Sequence, residues 1–89
     1  MPRSDWEALS LVLASRLRRR VLVALRSERT PSHLSAELAV PLSNVSRALR
    51  ELREKGVVRC LNPRRRKGRL YRRTSKGRRL LEDLRHFPR

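Results

Sequence analysis

Carboxylates are scarce in this chain. Eight Asp and Glu stand against 24 Lys and Arg, which leaves a formal charge of +16 on 89 residues. So few acids supply no paired carboxylates for acid–base work, and with three glycines there is no Gly-rich phosphate loop. No nucleophile–base pattern is present either, so an enzyme is not expected. The single cysteine, Cys60, excludes an internal disulfide and fits a reducing interior. Cys60, His33 and His86 are the only soft ligands and show no paired spacing, so neither a metal nor a cofactor is expected. Cys60 reads as a small buried hydrophobe on a strand. The apolar stretch at residues 11–14 is far too short to span a bilayer, and no cleavable signal pattern precedes it. The expectation is a soluble cytoplasmic chain. Aromatics are limited to Trp6, Tyr71 and Phe87. Tyr71 reads as core, which leaves no stacking platform of the kind that single-stranded RNA uses and keeps an RNA partner a minor reading.

The apolar residues present are mostly Leu, Val and Ala, and they fall at helical spacing. Ser4 and Asp5 are candidate caps for a helix over residues 4–14, with Trp6, Leu9 and Leu13 on one face. Ser15 caps a second helix, residues 16–27, with Leu17, Val21, Leu22 and Leu25 as its buried stripe. Arg16, Arg18, Arg19 and Arg20 crowd its N-terminus, the wrong sign for the helix dipole, so an acidic side chain or a phosphate is expected to offset them. Thr30 followed by Pro31 opens a third helix to residue 38, with Leu34 and Leu38 inward. Residues 39–41 make a turn, and Pro41 prevents continuation from the previous helix. Ala39 stands where such a turn often uses Gly at positive φ, which predicts a turn of another type. A fourth helix over residues 42–55 has Val45, Ala48, Leu49 and Leu52 inward and Gly56 as its C-cap. Glu51 and Lys55 are placed for an i,i+4 pair.

Residues 57–61 alternate and are β-branched at their start, Asn62-Pro63 ends that strand, and Leu70, Tyr71 and Arg72 begin its return. Thr74 caps a final helix over residues 75–86 carrying Leu80, Leu81 and Leu84, with Phe87 just beyond. The order is α-α-α-α-β-β-α: a mainly α chain with a two-stranded hairpin, forming one domain over residues 1–89. That is a winged helix-turn-helix pattern, with the helix-turn-helix at 30–55 and the wing at 57–74. Charge follows the same division. Residues 1–44 carry a net +3 and residues 45–89 a net +13, so a polyanion belongs on the second half.

The run Val45-Ser46-Arg47-Ala48-Leu49-Arg50-Glu51-Leu52, then Glu54 to Val58, and Gly68-Arg69-Leu70-Tyr71-Arg72 resemble winged-helix regulators of the MarR and ArsR type. Within them the match is to small archaeal-type members, over residues 15–85. The resemblance implies the fold and double-stranded DNA binding, without naming a ligand, an operator or the sign of regulation. Similar proteins often place an apolar residue where this chain has Arg73. Here Arg73 either snorkels past the final helix or adds to the binding face.

In that context the outward residues of the fourth helix become the reading set for a major groove. Asn44 suits adenine and Arg47 or Arg50 suits guanine, while Ser43 and Ser46 suit phosphates. Arg64, Arg65, Arg66, Lys67 and Arg69 form a wing tip suited to a narrow minor groove or to phosphates. Arg16, Arg19, Arg20, Arg72 and Arg73 are candidates for further backbone contacts. Trp6, Leu9, Leu13, Leu80 and Leu84 exceed what a small core needs and suggest a homodimer through the terminal helices. The function expected is a sequence-specific transcriptional regulator. The alternative is a nucleoid-type architectural protein with little sequence preference. No small-molecule effector is evident, because 89 residues leave no room for a separate effector domain.

Overall fold

The structure, a computed structural model, describes residues 3–86. Five helices and one hairpin follow in the order α1 (Arg3–Leu13), α2 (Arg16–Ala24), α3 (Pro31–Leu38), α4 (Leu42–Glu54), β1 (Val58–Cys60), β2 (Tyr71–Arg73) and α5 (Ser75–Leu84). The winged helix-turn-helix expected from the sequence is the fold observed. Helix α1 begins at Arg3, so Ser4 and Asp5 lie inside its first turn rather than capping it. Phe87 lies outside the described residues.

Three hydroxyls start three helices as their positions predict. Ser15 accepts from the Arg18 amide, Thr30 from His33 and Thr74 from Gly77, each closing one of the amides a helix start leaves unpaired. Helix α2 stops at Ala24, about a turn earlier than expected, and Arg29 beyond it bridges to the hairpin. There the Arg29 amide donates to the Tyr71 carbonyl at 3.1 Å, and the Tyr71 amide donates back at 2.9 Å. This bridge gives β2 a neighbour on both sides. In the hairpin itself Val58 pairs with Arg73, Arg59 with Arg72 and Cys60 with Tyr71, antiparallel.

The core is a single cluster drawn from every helix and both strands, with Leu22, Leu34, Val45, Leu49, Leu52, Val57 and Tyr71 among its members. Leu9, Leu80 and Leu84 are part of it. Their expected place at a dimer seam is therefore corrected: α1 packs against α2 and α5 within one chain, and these three leucines fill that contact. Trp6 and Leu13, seven residues apart on α1, remain 55 % and 40 % exposed. Leu17, Leu38 and Cys60 are half-buried against the cluster rather than inside it.

Two local expectations also change. Ala39 does adopt the left-handed conformation, at φ 58° and ψ 46°. The turn is closed around it: the Val40 amide donates to the Ser35 carbonyl at 3.2 Å, and the Ser35 hydroxyl donates to the Val40 carbonyl at 2.6 Å. These bonds hold an alanine where glycine would sit without strain. The Glu51–Lys55 pair does not form. Glu51 accepts from Arg18 Nε at 2.9 Å, and Lys55 faces Glu7 at 3.7 Å.

Helix α5 closes the far side of the hairpin. Its Gly77 lies so near β1 that an added Cβ would collide with the Val57 carbonyl. Thr74 completes this junction, with its hydroxyl donating to the Gly56 carbonyl at 2.6 Å and its amide to Val57 at 3.0 Å. These contacts tie the segment between α4 and β1 to the start of α5.

Candidate nucleic-acid interface

Helix α4 buries Val45, Ala48, Leu49 and Leu52 and leaves Ser43, Asn44, Ser46, Arg47, Arg50 and Arg53 exposed. Periodicity alone requires that division, since the buried four recur at three- and four-residue intervals. Tertiary structure then divides five of these six between two recesses, and Ser43 lines neither of them. Ser46, Arg50 and Arg53 turn toward the wing, while Asn44 and Arg47 border a shallow recess against α2, beside Ser15, Leu17, Arg18 and Glu51.

The wing tip is a built turn and not a loose loop. Asn62 organises it: its Oδ1 accepts from the Leu70 amide at 2.8 Å and its Nδ2 donates to the Gly68 carbonyl at 3.2 Å. Its carbonyl also accepts from the Arg65 amide at 3.1 Å. Gly68, at φ 69°, supplies the left-handed residue that reverses the chain. Within the loop, Arg65 Nε donates to the Lys67 carbonyl and Arg69 Nε to the Arg65 carbonyl. Arg64, Arg65, Arg66 and Lys67 are exposed and Arg69 is half-buried. Among the described residues none of these five cations pairs with a carboxylate.

Between the wing and α4 lies a cleft of about 530 Å³. Ser46, Arg50 and Arg53 line one wall and Arg66, Lys67, Gly68 and Arg69 the other, with Thr30, Pro31 and Ser32 at the start of α3 along its edge and Leu42 beside them. Five cations face it and, among the described residues, no carboxylate does. The structure thus brings Ser46 and Arg50 together with the wing residues Arg66, Lys67 and Arg69.

The outlying arginines have other surroundings. Arg20 donates to the Leu38 carbonyl at 3.0 Å, covering the C-terminal end of α3. Arg16 and Arg19 border a recess with Val12, Leu13 and Ser15. Arg18 donates to Glu51 and to the Leu11 carbonyl, both at 2.9 Å, so an acidic side chain offsets the charge of Arg18 at the start of α2. The hydrogen bond from Arg18 holds the Glu51 carboxyl below its usual range, helped by the charges of Arg18, Arg47 and Arg50 and opposed by partial burial. Arg72 and Arg73 lie at the other end of β2 from the wing tip, in a cleft of about 520 Å³ with Arg26, Arg78 and Glu28. Partial burial lowers the pKa of Arg73, and the neighbouring charges of Arg78 and Arg26 lower it further. Arg73 is half-buried in that cleft beside Arg78 of the final helix.

Sequence reasoning missed Asn62 as the organiser of the wing and read it only as a strand terminator. The signal was present: an Asn side chain before a Pro bonds readily to backbone a few residues on. It also missed Leu42 and the 30–32 edge of the cleft, which become neighbours of the wing only after folding.

A family model for a helix-turn-helix domain matches residues 13–60. Among solved structures, a possible transcriptional regulator for arsenical resistance is 32 % identical over 86 % of this chain and 78 % of its own, with a TM-score of 0.68. A MarR mutant from E. coli, complexed with operator DNA, is also 32 % identical, with a TM-score of 0.71; it aligns with 91 % of this chain and 60 % of its own. A fragment of a possible transcriptional regulatory protein from Mycobacterium bovis aligns with 91 % of this chain and 87 % of its own, with a TM-score of 0.74. At 24 % identity, that last likeness speaks for the fold alone. The chain spans about three-fifths of the MarR structure. No curated protein matches.

Proposed function

The chain belongs to the helix-turn-helix domain family, with the winged fold of DNA-binding transcriptional regulators, and on that premise we propose that it reads specific sequences in duplex DNA. Helix α4 enters the major groove, and the wing tip follows the adjacent minor groove or its phosphates. The observation that carries this reading is the cleft between α4 and the wing, with its five cations and no facing carboxylate. A duplex backbone is the ligand that such a cleft suits, because regularly spaced phosphates neutralise charges on both walls at once.

Roles follow from side-chain chemistry. Arg47 or Arg50 forks onto guanine O6 and N7, and Asn44 pairs with adenine. Ser43 and Ser46 hold phosphates, as do Arg64, Arg65, Arg66, Lys67 and Arg69. If six to eight phosphates are neutralised, log K falls with log salt at a slope of roughly −5 to −7. The protein acts as a homodimer, and the seam narrows to Trp6 and Leu13, the large apolar residues that α1 leaves exposed. Two-fold symmetry then sets the recognition helices about 34 Å apart, one DNA turn. Among the described residues no helix is long and apolar enough to cross a membrane.

The deciding experiment is selection of duplexes from a randomised pool at about 200 mM salt, where nonspecific binding is weak. The expected result is an enriched motif, palindromic with half-sites one turn apart. Retention of DNA with no enriched motif overturns sequence-specific reading in favour of an architectural role carried by the wing arginines.

A further inference from the structure

We propose that Leu42 is a base-reading residue that packs on the C5-methyl group of a thymine. The inference deepens the function proposed above and rests on it.

Four large apolar side chains are well exposed among the described residues: Trp6, Leu13, Val23 and Leu42. The first three lie on α1 and α2. Leu42 alone lies on the side of the wing, 48 % exposed at the first position of α4. By spacing it should continue the inner stripe of that helix, three residues before Val45 and seven before Leu49. The fold does not use it so. The core closes at Val45, and Leu42 instead lines the cleft in one helical row with Ser46 and Arg50.

That position has a chemical meaning. The N-terminal residues of a recognition helix are those that reach base edges. The Leu42 side chain has no donor for a phosphate and no acceptor for a base amine. The one apolar group that the major groove presents is the thymine methyl. The cap residue before it, Pro41, is itself apolar and makes no side-chain capping hydrogen bond. An apolar residue at the leading edge of an otherwise cationic and hydroxylic surface is thus matched to thymine and mismatched to the rest of the duplex.

The test uses the full chain and the duplex enriched in the selection above. Each thymine is replaced singly by deoxyuridine, which deletes only the methyl, and binding is measured for the native chain and for Leu42→Ala. Alanine keeps the helix, and the site is half exposed, so the variant is expected to melt as the native chain does. The expected result is one thymine per half-site whose deoxyuridine form binds the native chain about three- to tenfold more weakly, the scale of one lost methyl contact. Leu42→Ala should bind the two forms equally, and about as weakly as the native chain binds the deoxyuridine form. If no deoxyuridine weakens binding, or if Leu42→Ala still distinguishes the two forms, the assignment is wrong while sequence reading stands. If the selection enriches no motif, sequence reading falls first and the role of Leu42 falls with it.

Discussion

Arg18 and Arg20 on α2 carry the same charge as Arg64, Arg65 and Arg66 on the wing, yet the two groups have different partners. Arg18 is held by Glu51 and the Leu11 carbonyl, and Arg20 by the Leu38 carbonyl at the end of α3. The wing arginines stand in water, with only carbonyls of their own loop to donate to. The α2 pair ties helices together, whereas the wing group offers charge to a partner. Net charge therefore overstates the surface available to a polyanion: some of the +16 is committed to the fold. It also explains why Arg is suited to both tasks, since a planar guanidinium caps carbonyls as readily as it forks onto an oxyanion.

The sharpest way to test this difference is to remove each group in turn. Replacing Arg64, Arg65 and Arg66 together with Gln should lower DNA affinity roughly 100-fold at 0.1 M salt and reduce the salt slope by about 2 to 3, since each lost phosphate contact removes about 0.9. The melting temperature should not change. Titration of one duplex at several salt concentrations checks both numbers; an unchanged slope would mean that the wing does not meet the backbone.

The converse change is Glu51→Gln, which leaves Arg18 without its carboxylate. It should cost about 1 kcal/mol of stability at neutral pH, the scale of a partly exposed charged hydrogen bond. Its pH dependence has a definite sign. The folded-state pKa of Glu51 is depressed below 4.5, so its contribution is complete above that value and is lost as pH falls through the folded one. Urea melts of both chains at pH 7 and pH 3 should therefore show a gap at the higher pH that narrows at the lower. A constant gap would point to lost packing rather than lost charge.

A smaller effect is expected at the turn between α3 and α4. Ala39→Gly relieves a left-handed alanine and adds chain entropy to the unfolded state, and the two nearly offset for a net stabilisation of about 0.5 kcal/mol. Calorimetry resolves such a shift. Destabilisation instead would show that the Ser35–Val40 bonds hold the turn with no strain to relieve.

Much of the fold was legible because its signals are local. Ser15, Thr30 and Thr74 announce their helices by a hydroxyl at the cap, and Val45, Ala48, Leu49 and Leu52 announce the inner face of α4 by spacing. The outward set on that helix and the cluster of wing cations were readable for the same reason. Spacing offers Glu51 a partner four residues on, at Lys55, but the partner it takes lies 33 positions away. Leu9, Leu80 and Leu84 looked surplus because the number of leucines a core can absorb depends on how closely α1 and α5 approach. Gly77 carried no signal at all, because its meaning is the nearness of the Val57 carbonyl.

Local signals were enough to set the order of elements, the hydroxyl caps of α2, α3 and α5, the buried stripe of α4 and the half of the chain that bears the charge. Each of these is decided by energies acting within a turn or two of backbone. Only the tertiary structure decided which cations stay available, which leucines vanish into the core, and that Leu42, Arg50 and Arg66 face one cleft. Those outcomes depend on distances between residues far apart in the chain, and no local energy sets such distances until the core has packed.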